Sequence, residues 1–584
     1  MVGLLGIFGF FTVVLRAVTL CFQSVAIGGI LFFTVVARST EERNGELQRS
    51  GWRLIRFSAM ALAFTQILFV ILNSLVLRAT VDIPLSQIAG ANFVWAGALA
   101  IVASMAITFW PHQFSKNLSP VVLIPAAMML AASVMTSHSA SRMEDRPVLM
   151  SLTVLHYLAT ASWIGGLPYL LLAVKKLPED QAKSSVIRRF SRMAQISVAL
   201  LIGAGVAMSW AYLGSIAAIY GTAYGVMLSA KVALLFCLLL LGAANYYIVE
   251  GLDTPGAATG KKSLLRFGEA EIGLGLTVIL AAASLTSQPP GVDLTQDRVT
   301  MHEITTRFAP RMPRFRSPEL NTLSVPSEQI YSQAKAAGQT LPPAYMPGQT
   351  QWNPSTSGDI AWSEYNHNWA GLIVMLMGVL ALLSRSRHFA WAKIWPLMFL
   401  GLAGFLFLRA DPENWPLGPN GFWESFGVVD VLQHRMAVVL IIVFAIFQYR
   451  VETKKVKSMA AALVFPSVCA IGGVVLLTHT HALSNVKEEM LAELSHTPLA
   501  IFGIMAGWSR WLELRLPEQN RAGKYLKWIW PVCFIVVGLI LMDYHESDVK
   551  VMNPSSVAGA SFKASPTNYQ STPASPANSN PVVQ

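Results

Sequence analysis

The chain has 584 residues, 54% of them hydrophobic and 13% charged, with a mean hydropathy of +0.50. A soluble protein of this size carries more polar surface than that, so water is excluded as its sole solvent. The formal charge of +11 does not point to nucleic acid, because the basic residues fall in short loops between apolar runs and build no single patch.

Apolar runs of spanning length lie at roughly 4–36, 54–78, 91–110, 119–137, 147–174, 193–219, 222–249, 264–286, 363–384, 390–409, 429–449, 459–478, 496–512 and 525–543. Each is read as a helix, since backbone in lipid must satisfy its own hydrogen bonds. The fold class is therefore all-α, a polytopic bundle of about 14 transmembrane helices. The first run lacks a basic leader and is long enough to span, so it is read as a helix and not as a cleavable signal. Cys21, Cys237, Cys469 and Cys533 all lie inside apolar runs without CxxC spacing, which argues against a disulfide frame or a zinc ribbon.

Basic clusters occur around Arg38 to Arg53, Lys116, Lys175 to Arg189, Lys261 to Arg266, Arg385 to Lys393, Lys454 to Lys457 and Arg510 to Lys527. All fall in odd-numbered loops, which puts those loops in the cytoplasm and both termini outside. The expected domains are an eight-helix unit (1–287), an extracytoplasmic loop (288–361) that is Pro-rich and partly ordered, a six-helix unit (362–543) and a disordered extracytoplasmic tail (544–584).

The eight-helix unit contains a repeat. Ser24 to Gly29 in the first run matches Ala161 to Gly166 in the fifth at an Ile-Gly-Gly core, and Arg56-Phe57-Ser58 matches Arg189-Phe190-Ser191 at nearly the same offset. An even number of helices separates the copies, so the repeat is parallel, a tandem of four-helix units with any site expected where the halves meet.

From Arg189 to Pro290 the chain resembles the copper resistance protein D family. The marks are Arg189-Phe190-Ser191 with Ala194, Tyr220 to Gly225 followed by Lys231 to Leu234, Ala244-Asn245, Glu271 and Pro289-Pro290. Upstream, His156 and Trp163 to Leu167 are similar to the family's membrane core, extending the likeness over about residues 1 to 290. The resemblance implies copper transport or copper resistance at the bacterial inner membrane, together with a periplasmic copper-binding partner. It covers none of the last six helices.

Ionisable groups inside spans are costly and mark function. Arg16, His156, Lys231 and Glu271 qualify. Depths counted from the helix ends put Lys231 and Glu271 within several ångströms of each other, so they are expected either to pair and lock two helices or to serve ion passage. His156 precedes the Gly165-Gly166 pair by two turns and is either a copper ligand or a hydrogen-bonded core histidine. On the outer side of the six-helix unit His367, His434, His479, His481 and His496 gather at one depth, with Glu488, Glu489, Met490 and Glu493 near them as further donors, a set that suits copper.

No GxxxxGK, nucleophile elbow or HExxH occurs, so ATP-driven pumping and hydrolase chemistry lack support. The leading reading is a non-enzymatic secondary copper permease whose outer histidines capture the ion. One alternative is a haem-bearing redox protein with His434 and His479 as axial ligands. Another is an assembly factor that delivers copper to a respiratory enzyme.

Overall fold

The computed structural model describes residues 2–37, 45–81, 83–110, 120–177, 180–251, 257–295, 298–323, 356–427, 429–478 and 486–546. The described chain is helical and forms no strand. Twelve of its helices are long and apolar enough to cross a membrane, and two shorter apolar helices bring the number to the fourteen expected. In chain order they are α1 (Val2–Leu31), α2 (Gly45–Val81), α3 (Asn92–Thr108), α4 (Leu123–Met135), α5 (Arg146–Lys176), α6 (Asp180–Leu213) and α7 (Ala223–Glu250). Then follow α8 (Ala257–Leu285), α9 (Ser357–Leu383), α10 (Arg387–Arg409), α11 (Val429–Glu452), α12 (Val464–Thr478), α13 (Val486–Arg515) and α14 (Arg521–Met542).

The outward surface is apolar. Phe57, Phe64, Ile71 and Leu75 on α2 are each more than half exposed, as lipid contact requires of a helix whose backbone is satisfied internally. With no gain from moving apolar side chains out of lipid, helices associate by close packing, and the contacts run through small residues. On α9 a Cβ added to Gly371 would come within 2.7 Å of the Gly538 carbonyl on α14, so the two backbones touch.

The same logic fixes the crossing of α1 with α5. A Cβ on Gly28 would lie 2.3 Å from the Ala161 carbonyl oxygen, and one on Gly165 would lie 1.9 Å from the Ser24 carbonyl oxygen. Ser24 and Ala161, like Gly28 and Gly165, are equivalent positions of the repeat. The contact is thus reciprocal, as a twofold axis between the quartets would make it. At this point α5 breaks: it runs from Arg146 to Trp163 and resumes at Leu167, with Pro168 in its first turn.

Several helices are longer than their apolar runs. α9 begins at Ser357, where Thr356 and Asp359 form a reciprocal capping box, so His367 sits well inside the helix and does not open it. α13 begins at Val486 and carries the acidic stretch as its first turns. There Met490 and Leu491 are buried against Val226 and Val299, which makes Met490 a packing residue and not a ligand. Lower on α13 the Trp508 ring sits where a Gly273 side chain would be, and Arg515 bonds Glu269 at 2.8 Å, so α13 seals the six-helix unit onto α7 and α8.

The described part of the outer loop lies over the rim of the six-helix unit. A short helix, Met301–Arg307, starts at a Thr300–Glu303 capping box. Beyond it the Arg314 amide donates to Asn368 Oδ1 at 2.6 Å, and Trp369 Nε1 donates to the Phe315 carbonyl at 3.1 Å. Tyr544 to Glu546, expected in the tail, are instead packed on this rim, because Asn368 Nδ2 donates to the carbonyls of Leu541, Met542 and Tyr544. The remainder of the tail lies outside the described residues.

Candidate functional site

Two regions hold the singled-out side chains. At the rim of the six-helix unit, His367 of α9 and His496 of α13 stand with ring centroids 6.1 Å apart, nearly perpendicular. The Tyr544 ring stacks on His367 at 4.0 Å and lies 6.0 Å from His496. Each imidazole turns Nδ1 to a helix carbonyl four residues back, Ser363 at 2.8 Å and Ala492 at 2.7 Å. In a neutral ring that donates through Nδ1 the lone pair is on Nε2, the form in which histidine binds metal. Glu546 joins the group through Ser363 Oγ at 2.5 Å and the Tyr544 hydroxyl at 3.2 Å. Burial pushes the Tyr544 phenol above its usual range, so it stays protonated as a donor.

His434 has a different partner. Its Nδ1 lies 2.7 Å from Asp411 Oδ1, with the carboxylate 10% exposed and the ring 43% exposed. A carboxylate behind an imidazole fixes its tautomer and raises its basicity, which is the second-shell arrangement of many metal ligands. His479 and His481 lie outside the described residues, and with them the His434–His479 haem pair. Among the described residues no group of three or more His, Cys, Asp or Glu side chains is placed to hold a metal ion. Glu493, one turn before His496, is 7% exposed and accepts from Gln288 Nε2 at 3.3 Å, linking this rim to the end of α8.

The second region lies within the membrane among α5, α6, α7 and α8, where α6 and α7 part. Two cavities stack there, of about 440 and 410 Å³, and Trp163 and Leu239 line both. The cavity toward the basic end of α8 holds Glu271, 3% exposed, whose Oε2 accepts from Asn245 Nδ2 at 2.7 Å. Gly242 leaves room for this carboxylate, since a Cβ there would sit 3.1 Å from Glu271 Oε1. The other cavity, toward the start of α7, holds His156 and Lys231.

The expected Lys231–Glu271 pair does not form. Glu271 is level with Asn245 on α7, 14 residues beyond Lys231, a separation of about 21 Å at 1.5 Å per residue. Both helices overrun the bilayer, so depths counted from their ends do not share an origin. The cavity that holds His156 reaches Ser24 and Ala161 of the α1–α5 crossing, where the quartets meet, while the cavity that holds Glu271 lies inside the second quartet. Arg16 reaches the end of α4, donating from Nη2 to the Thr136 carbonyl at 2.7 Å. Asn245 was visible in the sequence without its partner. Tyr544 and Asp411 carried no signal there, being an aromatic at the end of an apolar run and a loop carboxylate.

Comparison with known proteins bears on the second region. Residues 184–285, which comprise most of α6, all of α7 and α8, match the family model of copper resistance protein D. Copper transport protein CutJ of Bacillus subtilis (strain 168) is 28% identical over 164 residues, an alignment covering 28% of this chain. The chain spans 29% of the length of that relative. No solved structure matches.

Proposed function

We propose that this polytopic membrane protein, whose residues 184–285 match the copper resistance protein D family, is a secondary permease for copper at the bacterial inner membrane. The observation that carries the reading is a coincidence of place: the matched segment supplies three of the helices that enclose the two intramembrane cavities, with the buried carboxylate Glu271 on one of them. The name of the relative, a copper transport protein, supports the substrate.

In this reading copper is captured outside by Nε2 of His367 and His496, a pair of imidazoles suited to the low coordination that Cu(I) accepts. Glu493 and Gln288 link that rim to α8, and Glu271 offers the next anionic oxygen along it. A carboxylate inside a span marks a cation path when a neutral donor such as Asn245 holds it open. Both termini and the rim face the periplasm, where a copper-binding partner would deliver the ion.

The test is copper content of detergent-purified protein together with copper accumulation by cells that express it. His367→Ala/His496→Ala is expected to lose most of the bound copper. Glu271→Gln is expected to keep it and to lose accumulation, since an amide matches a carboxylate in shape but lacks its charge. Unchanged copper content and accumulation in both variants would remove the reading, and a Soret band in the wild type would replace it with the haem alternative.

A further inference from the structure

The cavity that holds His156 and Lys231 has a chemistry that a bare copper ion does not suit. Its volume of about 410 Å³ falls in the range of ligand pockets, and its walls are mostly apolar. Among the residues lining it none is Asp or Glu. Glu271 is engaged by Asn245 in the neighbouring cavity, and Asp293 is paired with Arg142 at 2.9 Å. His156 is 9% exposed and its Nδ1 has no hydrogen-bond partner, while Lys231 makes no ion pair among the described residues. His138, also on the wall, has an unpartnered Nε2.

The cavity opens sideways. Ile202 and Val206 of α6 and Val232 and Phe236 of α7 line it and are 41, 66, 56 and 62% exposed on the lipid-facing surface. Gly205 of α6 faces the His156 ring across this cavity, where a Cβ would stand 3.6 Å from it. Lys231 is eight residues past Ala223, about 12 Å along α7 from its start, and its side chain lines this cavity. An ammonium in an apolar enclosure is costly unless an anion meets it, and His156 keeps one ring nitrogen without a partner beside it. Among the described residues the protein sets no carboxylate in this cavity, and the opening faces acyl chains.

We propose that this cavity binds a single-chain amphipathic acid from the bilayer, of the fatty-acid class, with its carboxylate on Lys231 and His156. Its chain lies along Val206 and Phe236 and leaves through the α6–α7 gap. An acidic phospholipid has the same pairing of an anion with an acyl chain, but its two chains and glycerol are bulkier than the single chain that a cavity of about 410 Å³ and a gap between two helices admit. The inference is independent of the copper reading, which uses the rim and the Glu271 side.

Native mass spectrometry of the full chain in detergent tests it, with oleic acid, phosphatidylglycerol and phosphatidylcholine titrated in parallel. Oleate should form a saturable adduct that weakens about tenfold or more in Lys231→Met and is retained in Lys231→Arg, as expected for loss of a buried charge pair. Phosphatidylcholine should bind alike to every variant. Oleate binding that ignores Lys231→Met overturns the proposal. Phosphatidylglycerol binding tighter than oleate with the same lysine dependence also overturns it, in favour of a lipid phosphate. Should Lys231→Met fail to fold by gel filtration, His156→Phe takes its place, and undiminished oleate binding there is equally fatal.

Discussion

Gly165 bears the tightest contact of the α1–α5 crossing, where its Cα faces the Ser24 carbonyl with no room for a methyl group. The obstacle is backbone, which cannot swing aside as a side chain does. Gly165→Ala should therefore destabilise the protein by about 1–3 kcal/mol, the usual cost of overpacking. Gly203→Ala, in α6 with nothing within 4 Å, should be neutral or stabilising, since alanine is the better helix former. Thermal unfolding in detergent compares the two, and equal melting temperatures would show that the crossing tolerates separation. The Ile-Gly-Gly repeat was legible in the sequence and announced close approach. Its partner was not, because a glycine records that something comes near without recording what. The same holds for His367 and His496, whose residue type suggested ligation while the Tyr544 ring stacked on His367 left no mark.

Among the elements, the ends of helices were the hardest part to read. Hydropathy finds the segment immersed in lipid and passes over polar turns that continue the same helix, so α2, α9 and α13 all begin before their apolar runs. The buried ionic partners of those ends were hidden for the same reason. Arg385 and Arg510 read as loop charges that set topology, yet both converge on Glu513 of α13, at 2.6 and 2.7 Å. Trp530 Nε1 of α14 donates to the same carboxylate at 3.1 Å, and both guanidinium groups lie over its ring at 5.0 and 5.4 Å. One side chain thereby ties α9, α13 and α14 together, with the two arginines and Glu513 each no more than 14% exposed. Glu513→Gln leaves two buried cations with too little counter-charge and should cost about 3–5 kcal/mol, the scale for breaking a buried pair from one side. Arg515, which pairs with Glu269 between the units, serves as the comparison: its side chain is 24% exposed, so Arg515→Gln should cost less. Denaturant unfolding of both variants checks the order, and a larger loss for Arg515→Gln would mean that the interface between the units outweighs the Glu513 hub.

At the scale of the whole molecule, orientation decides what the rim histidines can meet. If all fourteen apolar helices cross, both ends of the chain share one side and the seven basic clusters named above lie on the other, and the positive-inside rule then predicts that the loop between α11 and α12 with Lys454, Lys455 and Lys457 faces the cytoplasm. The same rule predicts that the loop before α9, with Met312 at 94% exposure, faces the periplasm. A Lys455→Cys variant should react with a membrane-impermeant maleimide only after cells are permeabilised, whereas Met312→Cys should react in intact spheroplasts. The native cysteines give little background, because Cys21, Cys237, Cys469 and Cys533 all lie within spanning helices. Labelling of Lys455→Cys from outside would turn the protein over. His367, His496 and the His434–Asp411 pair would then face the cytoplasm, and capture by them would be the first step of export instead of entry. The two cavities would exchange ends with them, so that Glu271 became the outward carboxylate and Lys231 the inner cation. The labelling pattern thus fixes the direction in which the copper reading runs, while leaving the lipid-facing gap between α6 and α7 where it is.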